Sequence, residues 1–131
     1  MKTLKIAILS GLCAIAAGCA TPGPGVPKEF PPDAQPANAQ VLKERLSGRG
    51  FVARQANGTG WDMNYAADGR FAMRLSNGQT DQGRWRAEDN RVCIEFEGRF
   101  PSGCSEMRVS PSRLYLKRGS TGEVVAFDAA R

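Results

Sequence analysis

The sequence predicts an all-β domain: a small antiparallel up-and-down barrel or barrel-like meander of about eight strands, preceded by a short helix. Three observations carry this. From Phe51 onward apolar and polar residues alternate with period two, the signature of strands with one buried face. The alternating runs are short and recur at a spacing of about 10–12 residues. Between them sit Asp68-Gly69, Asn77-Gly78, Asp89-Asn90, Ser110 to Ser112 and Gly119 to Gly122, residue types that form tight hairpins. Strands of this kind hide their apolar faces by curling into a barrel or folding into two layers.

Residues 1–18 read as an export leader. Lys2 and Lys5 make a basic start, and Ile6 to Ala17 is apolar apart from Ser10 and Gly11. At about 1.5 Å per residue the run reaches about 18 Å, short of a hydrocarbon core of about 30 Å. It is therefore a secretory leader rather than a membrane span. Its end, Ala16-Ala17-Gly18-Cys19, resembles the bacterial lipoprotein signal, although that class more often has Leu at the position of Ala16. The resemblance implies that Cys19 is acylated and becomes the mature N-terminus; Ala20 after it implies the outer membrane of a Gram-negative cell, with the domain in the periplasm. The alternative is an ordinary cleavage after small residues that leaves Cys19 as a free thiol. Cysteine pairing favours the lipid: Cys13 leaves with the leader, Cys19 carries the anchor, and Cys93 and Cys104 remain as an even pair. Multiple acyl chains hold a protein in a bilayer essentially permanently.

Residues 19–36 read as the lipidated cysteine and a Pro-rich tether, since six of the eight prolines lie between Pro22 and Pro36. In polyproline II geometry it would reach about 50 Å at most. Phe30 is its one large aromatic, either docked on the domain or incidental. Residues 37–131 are the domain. Asn38 can cap a helix over Ala39 to Leu46 that places Val41, Leu42 and Leu46 on one side and ends at Gly48 or Gly50. The strands then turn inward Trp61, Met63, Tyr65, Phe71, Met73, Leu75, Trp85, Val92, Ile94, Phe96, Met107, Val109, Leu114, Leu116, Val125 and Phe127. Cys93 and Cys104 fall on the outward side of their runs. If they face each other across a hairpin, Phe96 faces Pro101 and Glu97 to Phe100 form the loop. Their spacing lacks the C-x-x-C geometry of a redox pair, which favours a structural disulfide.

Composition excludes several chemistries. With no histidine, there is no Ser-His-Asp triad, Cys-His dyad, His metal site or histidine pH switch. Removing Lys2 and Lys5 leaves 16 cations against 13 acids, and no basic run or aromatic ladder suggests nucleic acid. Glu95 and Glu97, or Asp62, Asp68 and Asp81, have the residue types of a glycoside hydrolase pair. The simpler account is cross-strand pairing of Glu95 with Arg84, Arg86 and Arg108, and turn roles for Asp68 before Gly69 and Asp81 before Gly83. Only oxygen ligands remain for a metal, and no calcium-loop pattern is present. Gly58-Thr59-Gly60 reads as a loop, since no helix follows to receive a phosphate. Met63, Met73 and Met107 occupy inward positions suited to packing. No cofactor, metal site or catalytic residue is expected.

Tyr65-Ala66-Ala67-Asp68-Gly69, Gly83-Arg84-Trp85-Arg86, Arg91-Val92-Cys93 and Cys104 resemble, in this order, a family of small secreted proteins and lipoproteins of proteobacteria. The resemblance covers about half of the chain and implies a small β-barrel or barrel-like sheet, with no activity or catalytic residue to carry over. A looser similarity is to secreted metalloprotease inhibitors with a small barrel, one disulfide and a Gly-x-Trp. In those the Gly-x-Trp comes early and the N-terminal segment is free, whereas here Gly83-x-Trp85 lies mid-domain behind a tether. Barrel lysozyme inhibitors compare in architecture only.

The expected function is an outer-membrane-anchored lipoprotein whose domain is a non-catalytic binding or interaction module in the envelope, of which an inhibitor is one form. Its expected contact surface carries Arg70, Arg74, Arg84 and Arg86 with Tyr115 beside them, facing an envelope protein or an anionic glycan. The alternative is a lipocalin-like carrier that holds a small apolar ligand through Trp61, Tyr65 and Trp85. The discriminator is volume: with so many large inward side chains, the barrel is expected to be full.

Overall fold

A computed structural model describes residues 25–130. Cys19 and the leader lie outside the described residues. The chain runs through β1 (Gln35–Pro36), α1 (Ala39–Leu46), β2 (Arg49–Arg54), β3 (Gly60–Tyr65), β4 (Arg70–Leu75), β5 (Thr80–Glu88), β6 (Arg91–Phe96), β7 (Gly103–Val109), β8 (Leu114–Lys117) and β9 (Val124–Ala129). Strands β2 to β9 pair in sequence order, each antiparallel to the next. β9 returns to β2, so the eight strands close into a barrel and leave few free edges. β1 is the extra strand, pairing Gln35 with Val109 and Pro36 with Arg108 along β7.

The local chemistry explains the elements. Asn38 is the helix cap, its side chain accepting from the Val41 N–H at 2.9 Å, and Gly48 ends the helix in the left-handed region at φ 72°. Gly69, Gly78 and Asn90 hold positive φ in the hairpin turns, the conformation that Asp-Gly, Asn-Gly and Asp-Asn pairs tolerate best. In-register pairs such as Met63 opposite Met73 and Trp85 opposite Ile94 keep one side-chain set inside all round.

Leu42 and Leu46 are fully buried in the same cluster as Phe51, Tyr65, Trp85 and Phe127, so α1 covers one end of the barrel. Three bonds hold it there. Gly48 N–H donates to the Tyr65 carbonyl at 2.7 Å, Ala39 N–H to Asp89 Oδ1 at 2.8 Å, and Arg45 Nη2 to the Ser110 carbonyl at 3.0 Å. The opposite end carries the connections 55–59, 76–79, 97–102 and 118–123.

Fifteen of the sixteen expected inward residues belong to this cluster or pack on it, Leu75 being the exception. The disulfide joins Cys93 to Cys104, which face each other across β6 and β7 as expected. The pairing stops at Ile94 and Gly103, however, so the loop is 97–102 rather than the four residues Glu97 to Phe100 closed by Phe96 against Pro101.

Two further expectations change. Tyr115, expected beside the arginines on the contact surface, is buried at 9% exposure beneath Ala34, Val124 and the partly buried Phe30 and Ala126. The cause is the second half of the Pro-rich segment, which lies on the barrel wall instead of standing free. Val124 N–H donates to the Pro27 carbonyl at 2.7 Å, and Phe30 lies under the Arg108 guanidinium at 4.6 Å. Phe30 is thus a docking residue. The barrel is also not full.

Candidate functional site

The large inward side chains are unevenly placed along the barrel axis. Tyr65 is the hub of the helix end. Phe71, Trp85, Phe51 and Phe127 lie 4.9, 5.4, 5.9 and 6.4 Å from it, ring centre to ring centre. Toward the other end, inward positions on β7 pass to small residues, Gly103 and Ser105. Counting large residues missed these. They leave a cavity of about 460 Å³ that opens between the connections at that end, within the range of small-molecule sites.

Its walls are Met63, Met73, Phe71, Ile94, Phe96 and Phe127, with Trp61 nearer the mouth. Two of the three residues expected to bind an apolar ligand, Trp61 and Tyr65, line this cavity; Trp85 packs in the aromatic cluster instead. Tyr65 is fully buried, and its hydroxyl donates only to Met63 Sδ at 4.0 Å, a weak acceptor. Burial pushes this phenol well above the usual tyrosine range, so it stays neutral.

At the mouth, Arg118 is the only charged side chain in the lining among the described residues. Its Nη1 donates to Gln55 Oε1 at 3.3 Å, and its guanidinium lies 5.6 Å from the Trp61 ring centre. Buried Glu123 stands behind it, Oε1 at 3.7 Å from Nη1, while Oε2 accepts the Ala56 N–H at 2.9 Å. Trp61 Nε1 is buried without an acceptor among the described residues. Sequence reasoning missed Arg118 and Gln55, and parity would have found them. Arg118 continues the inward series Leu114, Leu116, and Gln55 continues Phe51, Ala53.

The loop 97–102 forms one lip of the mouth. Asp81 organises it, accepting from the N–H groups of Phe100 and Gly98 at 2.9 Å each and of Gln82 at 2.8 Å. These bonds, the Phe100 one foremost, hold its carboxyl below the usual range. Phe100 packs edge-on to Phe96 at 5.5 Å and lines the cavity.

The four arginines of the expected contact surface do share the outer wall of β4 and β5. Arg70 and Arg84 are register partners, Arg70 pairs with Asp68 at 3.4 Å, and Arg86 reaches Glu88 at 2.9 Å and Glu95 at 3.7 Å. Bonds from Arg86, then Arg91, hold the Glu88 carboxyl below its usual range. Arg74 and Arg84 make no ion pair among the described residues. The carboxylates with hydrolase-like spacing are dispersed. Asp62 sits across from Arg74, Asp68 caps its turn, Asp81 holds the loop, and Glu97 accepts from Gln82 at 3.2 Å. Glu88, Cys93 and Cys104 bring three potential ligand atoms within 4.8 Å of one another, but both sulfurs are committed to the disulfide.

No family model matches the chain, and no curated protein or solved structure does so either.

Proposed function

We propose that this protein is a non-catalytic carrier of a small apolar ligand, held inside a lipocalin-like barrel and tethered to the outer membrane of the cell envelope by acylated Cys19. The observation that carries the reading is the cavity: about 460 Å³, lined by aromatic and methionine side chains and open at one end only, because α1 covers the other. Apolar walls favour an apolar guest by removing its surface from water, at about 25 cal/mol per Å². The methionines suit this task, since their unbranched side chains adapt to guests of different shape. The anchor rests on the lipoprotein-like Ala16 to Cys19 segment of the sequence.

The test uses the whole mature chain with Cys19→Ser, exported behind a non-lipoprotein leader so that the disulfide forms. Titration with phenylnaphthylamine, a neutral apolar fluorophore, is expected to saturate at one probe per protein and to quench Trp61 emission. No saturable binding would overturn the carrier reading. Contact through the arginine wall is the second reading, favoured by the unpaired Arg74 and Arg84. It expects an anionic envelope protein or glycan to crosslink to the wild type and not to Arg74→Ala/Arg84→Ala.

A further inference from the structure

Resting on the carrier reading, we propose that the ligand is a single-chain amphiphile with an anionic head, its tail in the barrel and its head on Arg118 at the mouth. Among the described residues every other one lining the cavity is uncharged, and the one cation stands where the apolar wall meets solvent. Its side chain is 26% exposed, partly dehydrated yet still reachable. A guanidinium has five N–H donors, and only Nη1 has a protein acceptor among the described residues. Nε and Nη2 remain as a fork that fits two oxygens of one carboxylate.

Glu123 does not cancel this site. It offsets part of the charge as an ion pair, Oε1 at 3.7 Å from Nη1 and Oε2 accepting the Ala56 N–H. But it meets only the Nη1 edge of the guanidinium and leaves the Nε and Nη2 edge to a head group. Gln55 and Trp61 hold the guanidinium from two sides, which lowers the entropy lost when it grips a head group. The Trp61 ring is part of the same lining, and its Nε1 is buried from solvent and without an acceptor among the described residues. A buried donor left unpaired is costly, so an oxygen-bearing head that reached it would relieve that cost as well. A wholly apolar ligand would leave both donors as they are; a cationic head would be repelled.

The test compares dodecanoate, dodecanol and dodecyltrimethylammonium at neutral pH, by displacement of phenylnaphthylamine from the mature Cys19→Ser chain. The wild type is expected to bind dodecanoate about 10- to 100-fold more tightly than dodecanol, the range for a charge-assisted hydrogen-bonded pair. Arg118→Gln is expected to erase that preference while still binding dodecanol, which also reports that the variant is folded. Arg118→Lys is expected to keep part of the preference, losing the fork but not the charge. Equal binding of acid and alcohol by the wild type, or a preference that survives Arg118→Gln, would overturn the inference and leave the carrier reading standing. Failure of all three amphiphiles and the fluorophore to bind would overturn both.

Discussion

Trp85 Nε1 donates to the Ala66 carbonyl at 2.8 Å, tying the middle of β5 to the turn between β3 and β4. The backbone repeats the tie, since Trp85 N–H donates to the Gly69 carbonyl at 2.9 Å. The Tyr65 to Gly69 and Gly83 to Arg86 segments are therefore two halves of one packing unit, with Tyr65 edge-on to Trp85 between them. Trp85→Phe removes the donor while keeping most of the ring. It is expected to cost about 1 kcal/mol, the net value of one hydrogen bond, because the Ala66 carbonyl keeps the Gly69 N–H at 3.1 Å as its other donor. Tyr65→Phe deletes a hydroxyl whose one partner is a sulfur, and is expected to be within about 0.5 kcal/mol of neutral. Urea unfolding of the two variants, side by side, measures the contrast.

Gly83 is required by space rather than by backbone angle. A Cβ there would meet the Glu95 carbonyl oxygen at 1.8 Å and the Phe96 Cα at 2.9 Å, both backbone. The close approach belongs to the bend where β5 and β6 wrap the barrel, with Phe71 and Phe96 filling the space inside at 5.7 Å between ring centres. Gly83→Ala must push the strands apart and is expected to destabilise by about 3 kcal/mol or more. A midpoint of denaturation equal to wild type would show that the strands do not approach as described.

Reducing the Cys93–Cys104 bridge frees a segment closed over a sequence separation of 11 residues. In the chain-entropy picture that is worth about 3 kcal/mol. Denaturation with and without reductant measures it. The cavity should respond too, because the bridge anchors the strands on either side of the 97–102 lip, so weaker fluorophore binding is expected in the reduced protein.

How much of this was legible in the sequence depended on whether a residue's meaning was local. Asn38, Gly48, Gly69 and Gly78 act through their own backbone neighbourhoods, and the helix and turns stood where those residues implied. The inward set was legible from parity, since a strand turns alternate side chains to opposite faces whatever its neighbours do. The cavity was not, because it depends on where along the axis the small inward residues of β7, Gly103 and Ser105, fall against the large ones of the other strands. Proline content hid the docking of residues 27–36: it argues for an extended segment and says nothing about whether that segment is free. Phe30 and Ala34, apolar among the prolines, were the signal that it was not. Tyr115 looked exposed because it lies outside the barrel, yet the returning segment makes a second, smaller core there.

Asp81 makes the mouth sensitive to strong acid only. Its carboxyl is held below the ordinary value of 3.8, so the unfolded chain binds the proton more readily than the folded one. Its stabilising contribution is therefore full above that value and is lost as pH falls through the lower folded value. Hydrogen exchange at the Phe100 and Gly98 amides is expected to be unchanged from neutral pH to about pH 4, once corrected for the intrinsic rate, and to lose protection below it. Asp81→Asn should give the low-pH behaviour at neutral pH, since one amide oxygen replaces two carboxylate oxygens that take three donors.

Gly103 offers the most direct way to close the cavity. It lies at an inward position on β7 opposite Ile94 and lines the cavity, and a Cβ there would meet nothing within 4 Å. Its φ is outside the left-handed region, so a side chain brings no backbone strain. Gly103→Leu would place four carbons into space that a guest would otherwise fill. Stability is expected to stay level or to rise by about 1 kcal/mol, as apolar surface is covered and a strand glycine is removed. Fluorophore affinity is expected to fall at least tenfold over the same preparation. The opposing signs separate this result from general damage, which would lower both together. Unaltered affinity in a folded Gly103→Leu protein would place the ligand elsewhere and return the arginine wall of β4 and β5 to first consideration.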